Sequence, residues 1–280
     1  MFKIGNFFQK FYYWFHDTAQ VKQLITQLAY ENYLQSAKVQ QQKRVLKNGY
    51  SVFSQSDEDG ILSEIFRRIG IKHSTAVEFG LGDGLESNTL LLAMNGWKCW
   101  WFESQSTLVK KLKQRFSRKN LPLLTITQAH ISSNNINKIF QKQKIPKEID
   151  LLSIDIDSCD YWVWKGLSSV SPRVVVIEYN AEWGPDVAWT IPNNTRHNWI
   201  GDSNYGASLK ALEFLANSKG YSLVGCSYSG VNAFFVRNDL TQDHFCQPFT
   251  SQNHWQPPRE KLIFKAGKKR SSEPIVRIKG

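Results

Sequence analysis

No apolar run in this 280-residue chain approaches the roughly 20 residues that a bilayer-spanning helix requires, so no such helix is expected. Cysteine is scarce and scattered: Cys99, Cys159, Cys226 and Cys246 include no pair at metal-ligand spacing. Buried, reduced thiols in a cytosolic protein are therefore expected. The first residues, "MFKIGNFFQKFYYWFHD", lack an unbroken apolar core, because Lys3, Lys10 and Asp17 interrupt it, and no small-residue cleavage site follows. They do not read as a secretory signal, and a cytoplasmic location is the expectation. No internal repeat is visible.

Acidic charge falls short of basic charge, and the formal net charge is +11. The shortfall is local. Residues 1–49 carry seven Lys/Arg against two Asp/Glu and residues 259–280 carry eight against two, while the 209 residues between are balanced at twenty of each. Basic ends favour anionic surfaces such as phospholipid or nucleic-acid backbone, but they say little about the chemistry of a neutral core.

Residues 1–49 hold no proline and read as a helical extension, with a boundary at Asn48-Gly49. "ILSEIFRRIG" (61–70) has helical spacing and a glycine stop. Apolar runs at 75–80, 97–103, 123–129, 150–156 and 173–179 then alternate with helical stretches at about 87–95, 105–118, 133–143 and 160–168. Near-continuous apolar strands separated by helices predict a parallel sheet covered on both faces. After a helix at 206–220, "YSLVGCS" and "VNAFFVRN" are joined by so short a turn that they must pair antiparallel. Five parallel strands closed by an antiparallel hairpin is the expected α/β architecture, spanning 50–240. Residues 241–280, with Pro248, Pro257 and Pro258, are expected to form an irregular basic tail.

At the end of the first strand stands "TAVEFGLGDGLESNT", in which Gly80, Gly82 and Gly84 alternate after Glu78. A dinucleotide fingerprint would need its third glycine at position 85, which is Leu85, and a P-loop would need a Lys-Ser/Thr pair that is absent. Glu78, Asp83 and Glu86 crowd the turn, which disfavours a phosphate and favours a ligand with a cationic or neutral centre and hydroxyls. Glu103 ends the second strand, where a carboxylate beside the glycine turn can accept the hydroxyls of a ribose.

With these features the chain resembles the class I S-adenosylmethionine-dependent methyltransferases over roughly residues 50–240: Glu78 with the glycines, Glu103, and the antiparallel last hairpin. Within them, "FSQSDEDGIL" and "LLSIDIDSCDYWVWKGL" look similar to the FkbM-type O-methyltransferases and their relatives. The resemblance implies a doubly wound Rossmann-like sheet and S-adenosylmethionine as cofactor. It further implies that Gly80 and Gly82 let the backbone pass under the methionine part, with Gly84 in the same cofactor-binding turn, that Glu78 orients it, that Glu103 holds the ribose and that His130 lies beside the adenine.

Two further strand ends are polar. "IDIDSCD" supplies Asp155, Asp157 and Asp160, and "VIEYN" supplies Glu178 and Asn180. If the fourth strand continues, Asp155 and Asp157 point to one side and can share a divalent cation, hold a substrate hydroxyl or act as base, with Asp155 also reaching the cofactor. The bland alternative is that Asp160 caps a helix and Asp157 fills a turn. The connection 180–205 is unusually long, as lids are, and carries Trp183, Trp189, Trp199, Tyr205, Arg196 and His197. Its rings suit a carbohydrate acceptor, and His197 is a candidate base.

The reading is an O-methyltransferase acting on a sugar or related small hydroxylated acceptor. A nucleic-acid methyltransferase and a non-catalytic binding module on the same scaffold are the alternatives; the neutral core and the lack of an Asn/Asp-Pro-Pro-Tyr/Phe signature argue against the former. Phe2, Ile4, Phe7, Phe8, Phe11, Tyr12, Trp14 and Phe15 are too many apolar side chains for a solvated helix. They are expected to pack on the domain, to join two copies as a homodimer, or to lie on an anionic membrane.

Overall fold

The computed structural model describes residues 21, 25, 28–116, 121–194, 197, 199–259 and 276–277. The aromatic run at 2–15, with its packing, dimer or membrane expectation, lies outside them. No helix among the described residues is long and apolar enough to cross a membrane.

The first long helix, α1 (Glu58–Ile69), begins earlier than the apolar periodicity alone indicates. Asp57, Glu58 and Asp59 stand at its amino end, where carboxylates complement exposed N–H groups. Gly70 ends it with φ +71°, donating its N–H to the Phe66 carbonyl at 2.8 Å. The alternation then follows: β1 (Thr75–Phe79), α2 (Leu90–Met94), β2 (Lys98–Glu103), α3 (Ser106–Arg115), β3 (Leu124–Gln128), α4 (Ile136–Lys142), β4 (Glu148–Ile154), α5 (Asp160–Gly166) and β5 (Ser171–Glu178). After the long connection come α6 (Leu209–Ser218), β6 (Tyr221–Cys226) and β7 (Asn232–Arg237).

These strands form one seven-stranded sheet in the order β3-β2-β1-β4-β5-β7-β6. The five strands β1–β5 run parallel, and β7 pairs antiparallel with both β5 and β6. Alternate residues of the inner strands feed two separate cores. Val77, Phe79, Trp100, Phe102, Leu152 and Ile154 face one side, with Phe140 of α4 and Trp164 of α5. Ala76, Cys99, Trp101, Leu151, Val174 and Val176 face the other, with Ile61 and Ile65 of α1. Burial on both faces is why these strands read as unbroken apolar runs. All four cysteines are free thiols and buried.

Residues 242–259 pack closely. Phe245 and His254 are buried, Arg44 donates to the Asn253 carbonyl at 3.0 Å, and Tyr33 Oη donates to Gln256 Oε1 at 2.7 Å. The segment thus ties the residues before α1 to the hairpin side of the sheet. Buried apolar and aromatic side chains, rather than its prolines, decide its structure.

Candidate functional site

Where β1 and β4 lie side by side, the strand order reverses direction across the sheet, and a crevice opens outside the carboxyl ends of the strands. Two chambers occupy it. The larger, of about 700 Å³, is lined by Gly80, Gly82, Glu103, His130, Asp155, Asp157, His197 and Trp199 among others. The smaller, of about 250 Å³, shares Gly80, Gly82, Asp155, Asp157 and Trp199, and adds Glu78, Asp83, Glu86, Glu178 and Asn232. The larger volume lies within the usual scale of small-molecule sites and the smaller just below it.

The three glycines do different work. A Cβ on Gly80 would lie 1.4 Å from the Asp155 carbonyl oxygen, so only glycine lets the ends of β1 and β4 approach this closely. Gly82 has φ +55° with nothing within 4 Å of its Cβ position, leaving backbone open to the chambers. Gly84 is placed at neither chamber. It has φ +78°, and a Cβ there would strike Leu112 Cδ2 at 2.5 Å under helix α3.

Glu103 closes the turn from the neighbouring strand. Its Oε2 accepts the Gly82 N–H at 3.2 Å, and its Oε1 accepts the Gln105 N–H at 2.8 Å. The side chain is buried yet forms part of the larger chamber's wall. Glu78 is engaged with the chain's own donors: Ser87 Oγ at 2.6 Å, Asn88 N–H at 2.8 Å, Thr89 N–H at 3.2 Å, and the Thr89 hydroxyl. Burial pushes its carboxyl up from the usual range, and these four donors pull it back only in part. Its geometry holds the turn that leads into α2, and the residue also lines the smaller chamber. His130 is exposed at the larger chamber, and its carbonyl accepts from Asn135 Nδ2 at 2.8 Å.

Strand β4 ends at Ile154, so Asp155 and Asp157 do not meet by strand alternation as expected. Asp157 adopts φ +54°, a left-handed conformation that Asp tolerates better than most residues. Buried Asp160 fixes the turn by accepting the Ile156 N–H at 2.8 Å and the Ser158 N–H at 3.1 Å. Burial raises the Asp160 carboxyl to about 6, against the lowering by those two bonds. The turn brings Asp155 and Asp157 together after all, with a third carboxylate that the sequence reading left out of the site. Donor oxygens of Asp155, Asp157 and Glu178 all lie within 4.8 Å of one another. Glu178 follows Ile177, which pairs with Ile154 across β4 and β5, and Asn232 pairs with Glu178 across β5 and β7. Cross-strand register assembles these residues; the sequence marks Glu178 as a polar strand end but gives no sign of Asn232.

The segment before α1 supplies the remaining wall. Asp59 Oδ2 accepts the N–H groups of Val52, Phe53 and Ser54 at 2.7, 2.8 and 3.0 Å, curling the chain so that Gln55 reaches the smaller chamber.

The long connection folds back over α5, with Trp162 Nε1 donating to the Ile191 carbonyl at 2.8 Å. Asn180 ties its two ends, donating to the carbonyls of Ser203 and Tyr205 at 2.9 and 3.2 Å. Of its four aromatics, Trp199 lines both chambers, whereas Trp183 and Trp189 pack on each other and Tyr205 is buried. His197 lines the larger chamber, and its buried Nε2 has no hydrogen-bond partner. Arg196 lies outside the described residues.

No family model and no curated protein matches the chain. Among solved structures, a dimethyladenosine transferase from Plasmodium falciparum is similar with a TM-score of 0.38 at 18% identity, over 66% of this chain and 64% of that one. The N-terminal domain of EvdMO1, solved with S-adenosylhomocysteine, gives 0.42 at 12% identity, over 74% and 94%. TrmK from M. capricolum, also in complex with S-adenosylhomocysteine, gives 0.38 at 12% identity, over 62% and 65%. The matched region is less than two thirds of the first and third of these proteins. Likeness this remote carries no functional argument, and the reading below stands on the site.

Proposed function

We propose that the protein is an S-adenosylmethionine-dependent methyltransferase whose acceptor is a hydroxyl of a sugar or another small hydroxylated molecule. The observation that carries this reading is the larger chamber at the reversal of strand order, where open Gly82 backbone and the Glu103 carboxylate meet. Gly82 has open space at its Cβ position while its N–H is held by the Glu103 carboxylate, which leaves room there for a nucleoside carrying an amino-acid arm. The described residues lining both chambers include no Lys or Arg, which disfavours a phosphate-bearing dinucleotide and suits a sulfonium.

S-adenosylmethionine, when bound, supplies a methyl group on a positively charged sulfur. The chain's own residues do the rest. Glu103 accepts ribose hydroxyls while staying oriented by the Gly82 and Gln105 N–H groups. Gly80 keeps β1 and β4 close enough for Asp155 to face the same chamber, and His130 borders the adenine end. Asp155 and Asp157 orient the acceptor hydroxyl and take its proton, and His197 is the other candidate for that role. Trp199 offers a ring face to the acceptor from the boundary between the chambers. A nucleic-acid acceptor is disfavoured by the same acidic lining.

Calorimetry with S-adenosylhomocysteine tests the reading. The wild type should bind it, and Glu103→Ala should weaken binding by about 1–3 kcal/mol through lost hydrogen bonds. No binding by the wild type, or NAD bound instead, would overturn it.

A further inference from the structure

The geometry points to a divalent-cation site in the smaller chamber, ligated by Asp155, Asp157, Glu178 and the Oδ1 atom of Asn232. Three carboxylates can each offer one oxygen, and these oxygens lie within 4.8 Å of one another. Acidic clusters are common without an ion, so the decisive observation is the fourth residue. Asn232 is 2% exposed and lines the chamber beside its cross-strand partner Glu178. Its Nδ2 donates to Glu58 Oε1 at 3.0 Å, and Oδ1 has no hydrogen-bond partner. Buried Glu58 therefore fixes which way the amide faces, leaving its carbonyl oxygen for a ligand. A buried carbonyl oxygen that meets no donor calls for an explanation, and a cation supplies one.

The donor set is entirely oxygen: three carboxylates and an amide carbonyl. Such a set selects Mg²⁺, Ca²⁺ or Mn²⁺ over zinc, which favours nitrogen and sulfur. Asp157 is the exposed member and Glu178 the buried one, so the ion would sit at the mouth of the chamber with open positions toward it. Glu58 acts as a positioning residue through Asn232. Asp155 and Asp157 also serve the acceptor in the proposed reaction, where a bound cation would share the orienting role; cation binding can still be read separately from cofactor binding, because none of the four ligands is needed for the Glu103 contact.

The test uses Mn²⁺ as probe, with the full chain dialysed against chelator and no other ligand added. Electron paramagnetic resonance of free Mn²⁺ should show a single saturable site. Glu178→Gln and Asp157→Asn should each weaken it about tenfold or more. Asp157 is exposed, so its variant should fold even if Glu178→Gln does not, and circular dichroism checks both. Glu58→Gln should weaken the site less than Glu178→Gln, since it disturbs only the orientation of Asn232. Absence of saturable Mn²⁺ binding by the wild type, or binding unchanged in folded Asp157→Asn, overturns the inference. Mn²⁺ binding without S-adenosylhomocysteine binding would instead sink the methyltransferase reading and leave this one standing.

Discussion

Strand β4 carries carboxylates toward both of its ends, and the surroundings treat them in opposite ways. Near the start, Asp150 is fully buried and accepts the N–H groups of Lys72 and His73 at 2.9 and 2.8 Å and Arg173 Nη1 at 2.8 Å. Arg173 in turn donates to the carbonyls of Gly70 and Ile69, at the exit of α1. Beyond the other end, Asp155 and Asp157 stand with Glu178 around a chamber whose described lining contains no Lys or Arg. The residue type is the same; what differs is whether the carboxylates are closed off or line open space. At the amino ends a buried arginine closes over Asp150, and the pair holds helix α1 to the sheet. At the carboxyl ends the carboxylates line chambers with room for a ligand.

The largest effect should come from the closed end. Asp150→Ala leaves Arg173 buried without its carboxylate, and loss of one partner of a buried pair costs about 3–5 kcal/mol. Urea denaturation should show that loss. Replacing both members by apolar residues, Asp150→Leu with Arg173→Met, should recover much of it, because the uncompensated charge disappears. A cost for Asp150→Ala no larger than that of a surface substitution would break the comparison at its stronger side.

The open end should respond the other way round. Asp155→Asn keeps the shape and removes one charge from a crowded acidic turn, so stability should barely change. Turnover should fall at least tenfold, about 1.4 kcal/mol of transition-state stabilisation. Unfolding of this variant would mean that Asp155 is a structural group like Asp150. Full turnover in the folded variant would take Asp155 out of the chemistry.

How much of this was legible beforehand depends on how far apart the cooperating residues lie. The strands were visible because burial on both faces writes a continuous apolar run, as in "RVVVIEY" for β5. Glu103 was legible too, since β1 and β2 are consecutive and adjacent, and the strand end must lie beside the glycine turn. The glycines were legible as a turn, but their division of labour was not. Gly84 answers to Leu112 on α3 and to Phe116 just beyond its end, which no local pattern reveals. Asp157 could be read either as extending the strand beside Asp155 or as filling a turn, and it lies in a left-handed turn fixed by Asp160. Glu178 and Asn232 join the site only through register across three strands, one of them antiparallel. In the same way, nothing near Asp150 in the sequence announces that Arg173 will meet it.

The smallest effect, and the finest test of the contrast, lies at the rim of the closed end. Glu148 is bridged by Lys72 at 2.6 Å, Arg237 at 2.8 Å and His73 at 3.1 Å. The hydrogen bond from Lys72 leads in drawing its carboxyl down to about 2; Arg237 and His73 add to this, and partial burial opposes it. A depressed carboxyl favours the ionised form in the folded state. Its contribution is therefore complete above the ordinary value of 4.5 and is lost as pH falls from there through about 2. Lys72 is 58% exposed and Glu148 itself 24%, so solvent and salt screen the pairing and leave about 1 kcal/mol or less. Wild type should exceed Glu148→Gln in stability by that amount at pH 6, converge with it near pH 2, and lose most of the gap at high salt. A gap that stays constant from pH 6 to pH 2 would mean that packing, rather than charge supplied by the chain, closes this end of the sheet.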